Sequence, residues 1–109
     1  MHARMLKMQV KPDRIDEAAR IFAEDVIPGC RGQAGYRGAY FLVDRKLGEC
    51  VPITLWETEA AMAATEENRF FQGQLMKFLG LFHHGLLRES YEVEVFDTDA
   101  DFVPPRVAD

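Results

Sequence analysis

Several residue types that common active sites require are scarce in this sequence. Its 109 residues include three histidines, two cysteines and a single serine, Ser90. No nucleophile-elbow pattern surrounds Ser90, which argues against serine hydrolase chemistry. Cys30 and Cys50 fit neither a CxxC motif nor a zinc-site spacing, and the acidic residues show no recognisable ligand spacing. We therefore expect no metal site.

Clustered basic charge and long apolar runs are also missing. Thirteen lysines and arginines stand against eighteen aspartates and glutamates, for a formal net charge of -5 at pH 7. With no basic cluster to follow phosphates, the chain is not expected to bind nucleic acid. No apolar run approaches the roughly 20 residues of a membrane-spanning helix, so we expect no membrane partner. Without a signal-peptide pattern, we expect a cytoplasmic protein with reduced thiols.

What the sequence does contain is an alternation of strand and helix patterns. Its length suits one domain, over residues 1–97, with a C-terminal tail over 98–109 that is either mobile or docks on a partner subunit. The patterns predict strands over 2–10, 36–43, 51–56 and 88–96, a helix over 13–27 that ends at Pro28-Gly29, and a helical region from Thr58 to about Phe82 with a break near Asn68. This β-α-β-β-α-β order predicts an α+β, ferredoxin-like fold, an antiparallel sheet with both helices on one face.

The third predicted strand leads directly into a helix and carries the only tryptophan. It has an expected core set and an opposite set of side chains, Val51, Ile53 and Leu55 against Pro52, Thr54 and Trp56. Pro52 lacks the N–H that a central strand donates, so a bulge or a late strand start is implied. Trp56 has two interpretations: a core aromatic residue, or a pocket residue whose indole N–H orients a ligand.

The second predicted strand is apolar on both faces, whereas a sheet covered by helices on one side is usually polar on the other. Its alternating sets are Tyr36, Tyr40 and Leu42, and Ala39, Phe41 and Val43. A second copy of the sheet, related by a two-fold axis, would cover the open face of each. We therefore predict a homodimer formed face to face, with room for a cavity on each side.

Three segments together resemble the antibiotic biosynthesis monooxygenase-like family of the dimeric α+β barrel superfamily. They are KPDRIDEAARIF at the start of the first helix, PGCRGQAGYRGAYFLVDR before and within the second strand, and ITLWETEAAMAA at the strand-to-helix junction. The resemblance covers roughly residues 3–96 and implies a dimeric α+β barrel. This superfamily includes cofactor-free quinol or polyketide oxygenases, haem-degrading enzymes and proteins of unknown role, so the fold leaves the activity open.

The resemblance implies a cofactor-free monooxygenase for a small electron-rich aromatic, quinol or polyketide-like compound. Such chemistry needs a dry apolar pocket and a group that favours the enolate or phenolate of the substrate. The candidate substrate-binding residues are Trp56, Thr54 and Tyr36, and the candidate catalytic residues are His83 and Tyr40. His83 and His84 are expected near the end of the second helical region, where complementing the helix dipole is their alternative role.

Haem degradation is not expected. In haem-degrading relatives a tryptophan and a histidine follow on the second helical segment, and an asparagine lies on the first strand. Counted from Trp56, these positions fall on Ala64, Gln74 and near Met5, and none of them matches. The resemblance therefore implies no cofactor.

Two functions remain open at this point. One is a dimeric oxygenase, and the other is a non-catalytic dimeric protein that binds a small apolar ligand or has a stress-related role. A cavity beside Trp56 in which at least two polar groups converge would favour the oxygenase. A sealed aliphatic site would favour the non-catalytic protein.

Overall fold

The computed structural model describes residues 1–103, apart from the side chains of His83 and His84. Four antiparallel strands form one sheet in the order β2-β3-β1-β4. They are β1 (His2–Val10), β2 (Tyr36–Asp44), β3 (Glu49–Trp56) and β4 (Phe82–Glu92). With helices between β1 and β2 and between β3 and β4, this confirms the predicted α+β, ferredoxin-like fold. Within the described residues, no helix is long and apolar enough to span a membrane.

The first helical segment continues farther than the sequence predicts. It comprises a 3₁₀ turn (Pro12–Arg14), α1 (Ile15–Ile21), a π-helical turn (Phe22–Val26) and α2 (Ile27–Arg31). The expectation that Pro28-Gly29 ends the helix is wrong. The wider π turn shifts the hydrogen-bond register, so that the N–H of Ile27 bonds to the carbonyl of Phe22 and Pro28 falls in the first turn of α2. Proline is tolerated in a first turn because its missing N–H has no intrahelical partner there.

The second helical region begins and breaks where the sequence predicts. Thr58 caps α3 (Glu59–Glu67), and its hydroxyl accepts a hydrogen bond from the backbone N–H of Ala61 at 3.0 Å. Asn68 follows the end of α3, and its side chain accepts from the N–H of Phe70, the first residue of α4 (Phe70–Met76), at 2.9 Å. Two short helices therefore replace one long one.

The sequence and the structure differ most just after α4. A 3₁₀ turn covers Leu79–Leu81 and β4 begins at Phe82, so the backbone of His83 and His84 belongs to a strand. Their expected place beside a helix C-terminus is wrong. Phe78 and Leu81 are buried, because the turn and the strand both pack on the core. Apolar residues at intervals of three and four suit this arrangement as well as a helix, and periodicity does not separate the two.

The helices cover the face of β3 that carries Pro52, Thr54 and Trp56, which we expected to lie opposite the core. Pro52 and Trp56 are buried beneath them, whereas Val51 and Ile53 lie half-buried on the opposite face. Of the expected core set, only Leu55 is buried, so that assignment is wrong. Alternation defines two sets of side chains, but it does not tell which set the helices will cover.

Pro52 produces neither a bulge nor a late strand start. β3 begins at Glu49, and its register with β1 is the same at the Met5–Ile53 pair and at the Met8–Cys50 pair. Between these pairs the ladder with β1 is interrupted. The sheet thus tolerates the proline through a local gap in pairing on one side of the strand.

A bulge occurs instead at the start of β2. Tyr36 pairs with Trp56, but Gly38 pairs with Leu55, so Arg37 is an extra residue in β2. The bulge turns Tyr36 to the helix-covered face, whereas Tyr40 is half exposed on the open face. The expectation that Tyr36 and Tyr40 share a face is therefore wrong, because one inserted residue inverts the alternation.

Candidate functional site

A cavity of about 50 Å³ lies between the sheet and the helices, beside Trp56. Residues from β1 and β3 form its floor: Arg4, Leu6, Pro52, Thr54 and Trp56. Residues from the first helical segment and from α4 and the turn after it form the walls: Phe22, Val26, Cys30, Phe70, Phe71, Gln74, Leu75 and Phe78. The lining is thus mainly aromatic and aliphatic, with a few polar groups, which is the composition typical of small-molecule sites.

The π-helical turn contributes to this wall directly. Phe22 and Val26 are its first and last residues, and both line the cavity. A π turn widens a helix by one residue and occurs often at functional sites. Its position here, with Pro28 following it, directs both side chains at the helix-covered face of the sheet.

Trp56 is a core residue that also lines the cavity, but its indole N–H is already paired and so does not have the ligand-orienting role given in the second interpretation. Its side chain is 1% exposed, and the ring of Tyr36 packs against it edge-on, with centroids 5.7 Å apart. The indole N–H donates a hydrogen bond to the hydroxyl of Thr54 at 2.9 Å. The group that can meet a ligand is therefore the Thr54 hydroxyl, whose own hydrogen can still be donated.

The two candidate tyrosines have different positions. Tyr36 lies behind Trp56 and does not line the cavity, and burial raises the pKa of its hydroxyl, with a smaller contribution from Cys30. Tyr40 lies on the other face of the sheet. The structure therefore brings Thr54 and Trp56 to the cavity, places Tyr36 beside them and separates Tyr40 from them. The side chain of His83 lies outside the described part of the structure.

Arg4 is a cavity residue that the sequence analysis missed. Its side chain is 5% exposed, and Nη2 lies 3.1 Å from the carbonyl of Met62, 3.1 Å from the hydroxyl of Thr65 and 3.0 Å from the carboxylate of Glu66. Burial lowers the pKa of the guanidinium, and the hydrogen bond to Glu66 opposes that shift. Because arginine has a very high ordinary pKa and Arg4 is paired with Glu66, Arg4 remains charged at neutral pH.

An available signal could have identified Arg4. Alternation along the first strand places Arg4 on the same face as Leu6, Met8 and Val10, which are apolar. A charged residue on the core face of a strand is costly unless it is paired, so its presence there indicates a partner or a ligand. Glu66 was not an obvious partner because it lies 62 residues away in the chain.

Two further cavity residues have limited chemistry. Burial raises the pKa of the Cys30 thiol to about 11, so the thiol is protonated and weakly nucleophilic at neutral pH. The side chain of Gln74 accepts a hydrogen bond from Lys77 at 2.9 Å. Among the side chains that the structure describes, which exclude those of His83 and His84, no three histidines, cysteines, aspartates or glutamates are grouped so that they could hold a metal ion.

The comparison with known proteins begins with the first two thirds of the chain. Residues 1–72 match the family model described as antibiotic biosynthesis monooxygenase. Two Mycobacterium tuberculosis proteins, the uncharacterized proteins MT2634 (strain CDC 1551 / Oshkosh) and Rv2557 (strain H37Rv), are each 34% identical to this chain over 67 residues, or 62% of its length. The match spans only 30% of either relative.

Solved structures resemble this fold over most of its length. A monooxygenase from the gene ActVA-Orf6 of Streptomyces coelicolor, in complex with nanaomycin D, aligns with a TM-score of 0.72 at 13% identity, covering 91% of this chain and 92% of that one. SnoaB, a cofactor-independent oxygenase from Streptomyces nogalater, aligns with a TM-score of 0.65 at 15% identity, covering 87% and 94%. Rv0793 from Mycobacterium tuberculosis gives 0.68 at 14% identity, covering 89% and 98%. At these identities the likeness shows the fold alone.

Proposed function

Because this chain belongs to the antibiotic biosynthesis monooxygenase family, we propose that it is a cofactor-independent monooxygenase acting on a small electron-rich aromatic, quinol or polyketide-like compound. The observation that carries the proposal is the cavity beside Trp56. Its lining is mainly apolar and includes three residues with polar side chains, Arg4, Thr54 and Gln74. An apolar site with a few placed polar groups supports catalysis on such a compound better than a sealed aliphatic one.

The proposed reaction needs no group beyond substrate and dioxygen. A phenol or quinol supplies the electrons: one oxygen atom of O₂ replaces a ring hydrogen and becomes a carbonyl of the quinone product, and the other leaves as water with that hydrogen and the hydrogen of the substrate O–H, so no external reductant is needed. The apolar walls would exclude bulk water, and the Thr54 hydroxyl would donate a hydrogen bond to a substrate oxygen. Trp56, which holds that hydroxyl through its own N–H, would position Thr54 and stack against the substrate ring.

Substrate access requires movement of the cavity walls. An apolar cavity of about 150 Å³ holds a benzene molecule, and this cavity measures about 50 Å³. Phe70 and Phe71 begin α4, a short helix of seven residues preceded by Arg69 with a left-handed backbone (φ 70°). We expect α4 and its aromatic side chains to shift when a ring-sized ligand binds.

Measurement of oxygen uptake tests the proposed monooxygenase activity. Hydroxylated aromatic compounds, mixed with the protein in a sealed electrode chamber, should be consumed together with O₂ and without added cofactor. The Thr54→Val variant should lower kcat/KM about tenfold or more, because it removes the donor that the substrate oxygen meets. Lys46→Ala, an exposed change in the β2–β3 turn, is the control. Ligand binding without oxygen uptake across the panel would contradict the enzyme proposal.

A specific observation also favours a binding protein without catalysis. Within the described lining of the cavity, the groups that could act as a base are unsuited to it: the Cys30 thiol is protonated and Arg4 is cationic. The second candidate is therefore a non-catalytic dimeric protein that binds a small ligand or serves a stress-related role. It is supported if the same compounds quench Trp56 fluorescence but are returned unchanged.

The proposed partner is a second copy of the chain. The open face of the sheet carries apolar side chains that are about half exposed, at 48–51%: Tyr40, Leu42, Leu87 and Tyr91. They lie on β2 and β4, the two edge strands, so the patch extends across the sheet. Two such faces stacked by a two-fold axis would bury both patches. Light scattering after size exclusion should give twice the monomer mass, and Leu87→Lys should give the monomer mass.

The domain is proposed to end near residue 97. Residues 98–103 are exposed and add no strand or helix to the fold. Truncation after Asp97 should leave the melting temperature of the domain unchanged within a few degrees and weaken the dimer only modestly. A large loss of stability would show that the tail belongs to the core.

A cytoplasmic location is proposed on the state of the cysteines. Cys30 and Cys50 are free thiols, and both are buried. Disulfides are rare in the reducing cytoplasm, whereas exported proteins often carry them. Cell fractionation followed by immunoblotting tests the location directly.

A further inference from the structure

The open face of the sheet carries two opposite charges within its apolar patch. The strand register places one row of side chains across all four strands: Tyr40, Ile53, Met5 and Glu89. The next row along the strands contains Leu42, Val51, Lys7 and Leu87. We call these two rows the central rows. All of their side chains are apolar except those of Lys7 and Glu89, which lie on the neighbouring strands β1 and β4.

The carboxylate of Glu89 is oriented by a neighbour on the same face of β4. The hydroxyl of Tyr91 donates a hydrogen bond to Oε2 of Glu89 at 2.5 Å. This bond raises the pKa of the Tyr91 hydroxyl, which therefore stays a donor at neutral pH. Within residues 1–103, Glu89 takes part in no ion pair, so Oε1 of its carboxylate can accept from a further donor.

Lys7 is the basic member of the central rows. It is exposed, and it pairs with Leu87 on β4, whereas Glu89 pairs with Met5 one row away. Among the described side chains, none forms an ion pair with the Lys7 ammonium. The long stem of a lysine lets its ammonium reach a carboxylate several ångströms away.

Glu49 is the other acidic residue near Lys7 on the open face. It lies at the end of β3, beside the β2–β3 turn, and it lines a groove of about 330 Å³ together with Lys7 and Gln9. The groove is open to solvent, so the carboxylate of Glu49 can stay hydrated when the central rows are covered. Glu89, within the central rows, cannot.

A second copy stacked on this face would remove both charges from water. Charged residues are depleted at the centre of protein interfaces, because a charge that is buried without a partner is strongly destabilising. We infer that, in the homodimer, Lys7 of each copy forms an ion pair with Glu89 of the partner subunit, and that these two pairs fix how the sheets are stacked. This inference rests on the dimer of the proposed function.

One two-fold axis forms both ion pairs. In an isologous interface, a contact of Lys7 with Glu89 of the partner subunit is repeated with the roles of the two copies exchanged. The axis then passes midway between the positions of Lys7 and Glu89, between β1 and β4. Met5 and Leu87 lie nearest to this axis, because they occupy the other diagonal of the same four positions. Other stackings would set unpaired charges against apolar side chains, so the two charges disfavour them.

Charge reversal tests the pairing. Lys7→Glu and Glu89→Lys each set like charges against one another at both contacts and should weaken the dimer about 100-fold or more. The double variant, with both reversals in one chain, restores opposite charges and should bring the dimer Kd to within about tenfold of the wild type. Sedimentation equilibrium measures the Kd, and circular dichroism shows that each variant is folded.

An equimolar mixture of the two single variants distinguishes pairing between copies from pairing within one copy. In the heterodimer of Lys7→Glu with Glu89→Lys, opposite charges meet at both contacts between the chains. Native mass spectrometry should therefore show mainly the heterodimer, although neither variant dimerises well alone. An ion pair within one chain would be broken in both variants, and mixing them would not restore it.

Matched controls account for attraction between oppositely charged chains. Lys46→Glu and Glu67→Lys make the same two charge reversals at exposed positions, in the β2–β3 turn and at the end of α3. Each control should dimerise as the wild type does, and a mixture of the two should exchange subunits statistically. If a reversal variant does not fold, the neutral pair Lys7→Met and Glu89→Gln replaces it. Each should weaken the dimer about tenfold, and the two together should cost less than the sum of the single effects.

Three results overturn the inference, and they differ in what they leave standing. If both reversal variants dimerise as tightly as the wild type, the two charges do not fix the stacking, but the dimer stands. If Glu49→Lys forms the heterodimer with Lys7→Glu and Glu89→Lys does not, Lys7 pairs with Glu49 of the partner subunit instead. If the wild type is a monomer at micromolar concentration, the proposed dimer fails together with the inference. Oxygen uptake by the wild type tests the proposed activity independently of all three.

Discussion

The helix-covered face of the sheet has two halves that differ in packing, although the same two strands, β1 and β3, form both. The first half, the closed half, consists of apolar residues that are 0–1% exposed: Met8, Val10, Ile15, Ala18 and Cys50. The second half, the cavity half, contains Arg4, Thr54, Trp56 and Gln74, and it encloses the cavity. Met8 pairs with Cys50 in the first, and Arg4 with Thr54 in the second, only four residues away along each strand.

The difference shows how a small domain separates stability from binding. Contacts between aliphatic side chains need no fixed distance or angle of the kind that hydrogen bonds require. The side chains of the closed half can therefore pack as densely as an ordinary protein core. Polar side chains must hold their partners at fixed distances, as Trp56 does with Thr54 and Arg4 with Glu66, and this restricts how tightly neighbours can approach. The closed half should therefore supply most of the stability, and the cavity half most of the ligand recognition.

The largest effect is expected from a change in the closed half. Met8→Ala removes a side chain that is 1% exposed and should lower the free energy of unfolding by about 2 to 5 kcal/mol. The affinity of the cavity for an aromatic probe such as 4-nitrophenol, measured on the folded protein, should not change. Urea unfolding followed by circular dichroism measures the loss, and Met76→Ala, at 65% exposed, is the matched control with an expected change within about 0.5 kcal/mol. A large loss of affinity in Met8→Ala would mean that the halves are coupled.

The two cysteines, one in each half, provide a second test of the separation. Burial raises the pKa of both thiols, Cys30 and Cys50, to about 11. At pH 8 their alkylation by iodoacetamide should be roughly 100-fold slower in the folded protein than in urea, because the thiolate fraction is that much smaller. A bound probe should slow alkylation of Cys30 further and leave Cys50 unchanged, as peptide mass mapping can show. Equal protection of both would argue against a ligand in the cavity half.

The same shifts predict how stability depends on pH. An unfolded thiol loses its proton near its ordinary pKa of 9.0, whereas the folded thiols hold theirs to about pH 11. Their contribution to stability is therefore fully present below pH 9 and is lost as the pH rises toward 11. Unfolding in urea at several pH values measures this decline, and Cys50→Ala should make it shallower.

A moderate effect is expected at Trp56. Trp56→Phe keeps most of the apolar surface but removes the hydrogen bond to Thr54, and it should cost about 1 to 2 kcal/mol of stability. Probe affinity should fall because Thr54 loses the group that orients its hydroxyl. Thr54→Val, which keeps the indole but leaves its buried N–H unpaired, should reproduce the loss of affinity at a similar cost in stability, about 1 to 3 kcal/mol. A stability loss above about 3 kcal/mol with unchanged affinity, measured by absorbance titration, would leave Trp56 as a purely structural residue.

The smallest effect is expected at Gly29 in α2. A Cβ there would lie 3.0 Å from Cε1 of Phe70, so the ring must move by a few tenths of an ångström. Gly29→Ala should change stability by less than about 1 kcal/mol, because helix propensity and crowding oppose each other. Probe affinity should change a few-fold. Gly73→Ala in α4, where a Cβ meets no atom within 4 Å, is the matched control and should leave affinity unaltered.

The sequence alone determined the order of the elements and several of their ends. Strand alternation and helical periodicity act over a few residues, so the ferredoxin-like order, the cap at Thr58 and the break at Asn68 could be predicted from local chemistry. The resemblance to the antibiotic biosynthesis monooxygenase family rested on the same segments, and the family match over residues 1–72 confirms it. Thr54 and Trp56 could likewise be identified as neighbours on one face of a strand.

Only the tertiary structure decided which faces are covered and what converges on the cavity. The face of β3 beneath the helices depends on how the whole segment folds back, and the bulge at Arg37 then assigns Tyr36 and Tyr40 to opposite sides. Arg4, Glu66 and Arg88 come together because β1, α3 and β4 pack beside one another, although Glu66 and Arg88 lie 62 and 84 residues after Arg4 in the chain. Such contacts form when distant elements pack, and residue patterns within a single element contain no information about them.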